Sequence, residues 1–279
     1  MVGLHLTNRR RPLAWLTLWL LALVVAGCSV PGIPLPELPI DLSDVPGIPE
    51  GLQEFPDLLG QLGLPDLSQL ENLPVLEDLP ALQAGPGAII YSGPLERRLE
   101  VGQAIPGTDI RLTAISADGA QFEIAGLRSV RTVGDSLDYD GPWPGLAGVT
   151  YNLRLRIYQV TDRTVRAAGV HRLHIENITP TPAEVDLGAN TLKFPFTTSA
   201  SSGQLFTGMT IGFLGSEARG AQLSGLPEGE YPYRKVGDSI RWQGYLRPDI
   251  PVDYQVRVLY YTENSARVGG IVTVALPVR

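Results

Sequence analysis

The chain repeats itself. Arg131-Thr132-Val133-Gly134-Asp135-Ser136 returns as Arg234-Lys235-Val236-Gly237-Asp238-Ser239, an offset of 103. At that offset Gly141 matches Gly244, Tyr151 matches Tyr254 and Arg154 matches Arg257, while Gly119-Ala120-Gln121 returns as Gly220-Ala221-Gln222 at an offset of 101. Ordered identities with a small insertion between blocks indicate a duplicated module of about a hundred residues, an ordinary domain size. The chain is thereby restricted to architectures in which one compact unit occurs twice.

That unit reads as β. In Tyr151–Tyr158, Leu153, Leu155 and Ile157 alternate with Asn152, Arg154 and Arg156, the period of a half-buried strand. Past Ala88 no segment sustains a helical period, and short apolar runs are punctuated by Gly, Pro and Asp. Each copy closes with a Tyr-led strand (YNLRLRIY; YQVRVLYY), a polar turn (TDRTVRAAG; TENSARVGG) and a last strand. Gly134-Asp135 and Gly237-Asp238 are expected to open a strand through a turn, since Gly permits positive φ and Asp caps its neighbours. The expected fold class is all-β, two tandem β-sandwich domains. The strand pattern resembles immunoglobulin-like or transthyretin-like sandwiches. Pro180 and Pro182 would interrupt a strand, which places the boundary in 177–189, with repeat 1 at 88–180 and repeat 2 at 189–279.

The N-terminus is a different kind of sequence. Arg9, Arg10 and Arg11 precede an uncharged, leucine-rich stretch over 12–26, then Val25-Ala26-Gly27-Cys28. A basic start, a short apolar run and small residues before a cut make a secretory signal, too short and wrongly flanked for a permanent span. The last four residues resemble the lipobox of bacterial lipoproteins. That resemblance implies removal of 1–27, a diacylglycerol on Cys28 and membrane lipid as a partner, with Ser29 matching the pattern passed on to the outer membrane. Two or more acyl chains hold a protein on a bilayer stably. Cys28 is the only cysteine in the chain, so no thiol is left for disulfides, catalysis or metal.

Charge separates a stalk from the rest. Of 29 acids and 22 Lys and Arg, ten acids fall in 28–87 without one base, and three arginines in 1–27, leaving nineteen of each sign from Ala88 onward. A neutral globular part without a basic run argues against nucleic acid. An acidic stalk is repelled by anionic head groups. Within it Val-Pro-Gly-Ile-Pro occurs at 30–34 and 45–49, and leucines recur every third residue from Leu64 to Leu82, with Pro65, Pro74 and Pro80 each following one. A period of three fits polyproline II, and prolines at first helical positions fit short helical turns instead. Either gives a semi-rigid spacer. A leucine edge that docks on a partner or on the β domains is the sharper alternative.

Chemistry is sparse. His171 and His174 lie three apart on a strand, hence on opposite faces, one expected buried and one exposed. Asp138-Tyr139-Asp140-Gly141 offers two carboxylates where calcium wants six or more oxygens, and reads as a turn. Asp135-Ser136 and Asp238-Ser239 recur in both copies without a histidine nearby, which fits folding better than a catalytic triad. No catalytic residue, cofactor or metal ligand is expected, and a hydrolase or metal-binding protein built on Asp135, Asp238 and the two histidines is the alternative of another class. Recognition is the remaining role. Trp143, in the loop Gly141-Pro142-Trp143-Pro144-Gly145, and Tyr245 and Leu246 in the matching loop are the candidate partner contacts. Trp143 plugging its own sandwich is the competing reading.

Ile105-Pro106-Gly107-Thr108-Asp109-Ile110, the strand to Ser116, and Tyr151–Ile157 resemble the pilotin-like lipoproteins of the YbaY type, related to type III secretion chaperones. The likeness covers about half of one module and departs in the second module, the long stalk and Ala114 in place of an acid. It implies binding of an outer-membrane protein during assembly through edge strands. The expectation as a whole is a non-enzymatic envelope lipoprotein whose duplicated modules bind protein or cell-wall material or serve as structure, with the pilotin-like chaperone as the alternative.

Overall fold

The computed structural model describes residues 73–82, 84–188 and 190–277; the signal segment, Cys28 and most of the stalk lie outside them. The described part is all-β apart from one 3-10 turn, Leu76–Asp78. Copy 1 builds seven strands: β1 (Ile89–Glu100), β2 (Ile110–Ser116), β3 (Gly119–Ile124), β4 (Leu127–Arg131), β5 (Ser136–Pro142), β6 (Val149–Val160) and β7 (Thr164–Ile175). The linker adds β8 (Thr181–Pro182). Copy 2 follows with β9 (Thr191–Ser201), β10 (Gln204–Leu205), β11 (Gly212–Glu217), β12 (Gly220–Ser224), β13 (Tyr233–Arg234), β14 (Ser239–Arg247), β15 (Ile250–Tyr261) and β16 (Ser265–Ala275).

In copy 1 the larger sheet has the order β1-β7-β6-β5 and the smaller β2-β3-β4; in copy 2 they are β8-β14-β15-β16-β9 and β10-β11-β12-β13. All described pairings are antiparallel. An immunoglobulin domain splits its strands as ABED against CFG. Here each sheet is a meander, with the first strand returning beside the last, so the likeness to that fold stops at layered β architecture. Buried side chains of both sheets, among them Leu112 and Phe122 from the small one and Leu137, Leu155 and Ile157 from the large one, share one core.

Backbone hydrogen bonds recur with the repeat. Gly102 N–H donates to Leu112 O as Gly203 does to Phe213 O, both at 2.7 Å, and Ile105 to Ile110 as Phe206 to Ile211, both at 2.9 Å. These pairs are offset by 101. The 103 offset holds for the Gly-Asp turn, and 101 returns in the final strands: Gly134 N–H donates to Ile157 O and Gly237 to Val258 O. Tyr151 is therefore equivalent to Val252 and Leu153 to Tyr254, and the 103-offset matches Tyr151–Tyr254 and Arg154–Arg257 are coincidental. Arg156 and Arg257 are the true pair, donating to Gly134 O and Gly237 O, each at 2.8 Å. The two-residue excess in the loop 143–148 of copy 1 cancels the earlier insertion in copy 2.

The copies do not keep separate cores. β1 and β9 are the edge strands on which the larger sheets meet, and each carries a proline at the equivalent place, Pro94 and Pro195. Proline has no N–H for a ladder, so strands bearing it stay at edges. The two sheets accordingly abut without hydrogen-bonding into one. Side chains interlock instead: a Cβ built on Gly93 would lie 2.5 Å from Pro195 Cδ, so only glycine admits this approach. At the position equivalent to Gly93, copy 2 has Phe194, fully buried, stacked on His171 of copy 1 with ring centroids 4.2 Å apart and on Tyr91 at 5.6 Å. The Tyr91 and Tyr254 hydroxyls hydrogen-bond across the junction.

One cooperative unit follows. Phe194→Ala should cost about 3–5 kcal/mol, the usual range for a buried phenylalanine. Urea unfolding followed separately by Trp143 and Trp242 fluorescence (other tryptophans replaced by Phe) should show both probes shifting together. Two separate transitions, with only that of copy 2 displaced, would contradict the shared core.

Candidate functional site

His171, the most deeply buried polar residue, lies on the inner face of the copy 1 sheet, at the junction. β6 and β7 pair so that Leu153 faces His171 and Tyr151 faces Leu173, while Gly93 of β1 lies against His171. Alternation then puts Arg97, Tyr151 and His171 on one face. Tyr151 Oη lies 3.2 Å from His171 Nδ1, and the rings meet edge to face at 5.9 Å. His171 Nε2 and Arg97 Nε are buried without hydrogen-bond partners among the described residues. Trp143 packs edge-on to Tyr151 at 5.4 Å.

Burial, and secondarily the positive charge of Arg97, push the His171 pKa down to about 3. Burial also raises both Tyr151 and Tyr254. The histidine is thus a neutral, aromatic core residue. A nucleophile–base pair needs a hydroxyl or thiol within reach of the ring, and the group that meets His171 is a phenol with a raised pKa. Asp135 and Ser136 are elsewhere: Ser136 pairs with Arg156, well along β6 from Leu153, the partner of His171. His174 lies on the opposite face, as expected from its spacing, and is half-buried rather than exposed. Among the described residues, no group of three or more potential ligands could hold a metal.

The repeated Gly-Asp pairs are turns. Gly134 and Gly237 have φ of +93° and +90°. Asp135 Oδ2 accepts the Thr132 N–H at 2.7 Å, and Asp238 Oδ2 accepts that of Lys235 at 2.7 Å. The Thr132 amide holds the Asp135 carboxyl below the usual carboxylate range. Asp138–Gly141, expected as a turn, instead lies within β5. Asp140 accepts two bonds from Arg154, at 3.1 and 2.6 Å, and one from Asn152 at 2.7 Å. Burial raises its carboxyl, but those donors outweigh it and leave the pKa lowered.

The three candidate contact residues make contacts within the chain. Trp143 is 2 % exposed and its Nε1 donates to Pro277 O, at the end of copy 2, at 2.8 Å. Leu246, fully buried, gives its carbonyl to Thr179 N–H, just past the end of copy 1, at 2.7 Å. Tyr245 is half-buried and its backbone pairs with Thr181 of β8. None is an exposed anchor for an outside partner: each loop instead receives the chain leaving the other copy. Sequence spacing put the two loops in correspondence, but the shared function of clasping the opposite tail depends on contacts about 134 residues apart.

Open surfaces lie elsewhere. A shallow groove at the far end of copy 1 runs between Ile115–Gly119, Thr132-Val133 and Val160–Asp162. Among the described residues the edge of β5 has no strand on its outer side, although its equivalent β14 pairs with β8 through Gly244–Pro182 and Tyr245–Thr181. Searches against models of known families, curated proteins and solved structures found no match to this chain.

The neutral His171 gives a pH test. Its folded pKa is depressed from about 6.5 in the unfolded chain, so its contribution is fully present above pH 6.5 and is lost as pH falls toward 3. Between pH 6 and 5 the protein should lose stability by an increment approaching about 1.4 kcal/mol per pH unit. In His171→Leu that increment should vanish. An unchanged slope in the variant would show that His171 takes no part in it.

Proposed function

We propose that the chain is an exported, non-enzymatic lipoprotein, fixed to the bacterial envelope through Cys28, whose paired β modules serve as a binding or structural body held off the membrane by the stalk. The observation that carries this reading is the placement of Cys28, the only cysteine, directly after Val25-Ala26-Gly27 at the end of a short apolar segment. The β body is consistent with it in a specific way. The polar residues retained in both copies are consumed in turns, and the internal histidine is packed between aromatic rings. Both are uses in stability rather than turnover. Protein or cell-wall material is the partner class, met on the exposed faces and edges. The outer membrane is the membrane favoured, from Ser29.

A second reading, the pilotin-like chaperone, is favoured by one observation. Among the described residues the edge of β5 is free where its copy-2 equivalent holds β8. Strand addition to a free edge supplies affinity through backbone hydrogen bonds. Within one chain, β8 on β14 is that interaction in miniature.

The parent protein should lose residues 1–27 and incorporate labelled palmitate, and Cys28→Ala should do neither. Labelling or processing of the variant at the parent level would remove the anchor, and with it the envelope assignment. Crosslinking of the lipidated protein in its native envelope separates the two roles: a dominant outer-membrane protein linked through β5 supports the chaperone, and wall material supports the structural body.

A further inference from the structure

The outer faces of the two larger sheets can be compared position by position, because β6 and β7 correspond to β15 and β16 at an offset of 101. On copy 1, Val170 and Tyr158 are 7 % and 8 % exposed. The end of the stalk lies on this face at Arg154 and Arg172, while Tyr158 is covered by Glu96, which accepts its hydroxyl, and by the Arg166 guanidinium, 5.4 Å from its ring. Leu79 is 4 % exposed, Asp78 precedes it near enough to favour the charged form of Arg154, and Pro80 O accepts a hydrogen bond from Arg172 of β7. On copy 2 the equivalent residues, Ile271 and Leu259, are 41 % and 45 % exposed. Leu259 lies over Gly269, where a Cβ would come within 2.8 Å of its Cδ1, and Ile271 is flanked by Pro195 and Gln255. The apolar strip is therefore built and, among the described residues, uncovered.

Its surroundings are basic. Lys193, Arg241, Arg257 and Arg267 share this face, against one acid, Asp253, which is already bound by Arg241 at 3.1 and 3.2 Å. The stalk is the complement: acids without a base, with Leu-Pro-x-Leu at 64–67, 73–76 and 79–82. The last of these sits on copy 1. We infer that the Ile271–Leu259 face of copy 2 is the docking surface for the segment Leu64-Pro65-Asp66-Leu67 of the same chain, in the manner of Leu79-Pro80 on copy 1. The twelve residues from Leu67 to Leu79 span about 40 Å when extended. Strands are about 4.8 Å apart and only β1 and β9 separate β7 from β16, so the chain is long enough.

Docking would fix the height of the body above its anchor. The fifty-one residues from Cys28 to Asp78 reach about 160 Å as polyproline II, and the thirty-six that precede Leu64 about 110 Å. The inference goes beyond the envelope reading and does not depend on lipidation. The test places a benzophenone amino acid at position 271 of the full chain, expressed as a mixture of isotopically light and heavy protein and irradiated. Crosslinks to peptides covering 61–70, in light–light and heavy–heavy pairs only, are expected. The yield should fall about tenfold in a Leu64→Ser, Leu67→Ser variant whose thermal unfolding is unchanged. Mixed-isotope pairs, crosslinks to another protein or elsewhere in the chain, no crosslink, or an undiminished yield in the variant would each overturn it.

Discussion

The close approach of β1 and β9, in which Pro195 fills the space that Gly93 leaves open and its neighbour Phe194 crosses the junction, is the contact on which the rest of the body depends. Gly93 and Phe194 occupy equivalent positions in equivalent strands, one with no side chain and the other with a large flat one. The phenyl ring crosses the junction to stack on His171, whose own equivalent is Val272. Aromatic pairs in such geometry add about 0.5–1.5 kcal/mol beyond the area they bury. More important is what the stack makes necessary. His171 must stay neutral, Gly93 must lack a Cβ, and β1 and β9 must approach closely without forming a ladder, which Pro94 and Pro195 secure.

A junction of this kind has the form of a two-fold dimer contact between identical subunits, in which residue i meets j and j meets i. Trp143 receives the tail of copy 2 at Pro277, and its counterpart Leu246 receives the chain leaving copy 1 at Thr179. In one chain the symmetry is free to break, and it has done so where the gain is local. The Tyr91–Tyr254 hydroxyl pair has Leu192 and Leu153 at the symmetry-related places, so one side of the junction is polar and satisfied while the other is apolar. Neither leaves an unpaired hydroxyl, which would cost about 1–3 kcal/mol when buried.

The β class, the two copies and their turns were legible because they rest on local signals: alternation in Tyr151–Tyr158, and Gly-Asp pairs whose positive φ and side-chain acceptance need only neighbouring residues. The register was misread where composition imitated it. Tyr151 and Tyr254 are both tyrosines at the offset of the Gly-Asp block, yet a two-residue difference in the loop before β6 moves the register to 101. Gly169 and Gly270 mark the correct one, since at both a Cβ would fall 2.1 Å from a backbone oxygen, of Arg154 and Gln255. Trp143 illustrates a second limit. A Trp among Gly and Pro reads equally as a contact or a plug, and what decides is the carbonyl of Pro277, placed there only by the folding of the other copy. In the described part of the stalk, Leu79 is buried while Leu76 and Leu82 are exposed and a 3-10 turn follows Pro74, so a period of three does not align those leucines on one face.

The same duplication leaves one edge to be managed. Joining the larger sheets at β1 and β9 hides one edge of each, and the linker covers β14 by laying Thr181-Pro182 along it. Among the described residues, β5 alone of the larger sheets' strands keeps a free side. Free edges invite pairing with other chains unless charge, proline or twist prevents it. β5 carries two exposed carboxylates, at Asp138 and Asp140, and ends at Pro142. Asp140 is anchored to Arg154 across the sheet, so its charge stays beside the edge rather than swinging clear. An incoming strand must therefore bring basic or small residues opposite 138–140 and need no N–H from 142. The edge-covering segment of this chain, Thr179–Ala183, is small and uncharged enough to meet that demand but is already in use on β14. If the edge does serve a partner, specificity resides in those two carboxylates, and a segment as acidic as the stalk is the one sequence in the chain least able to compete for it.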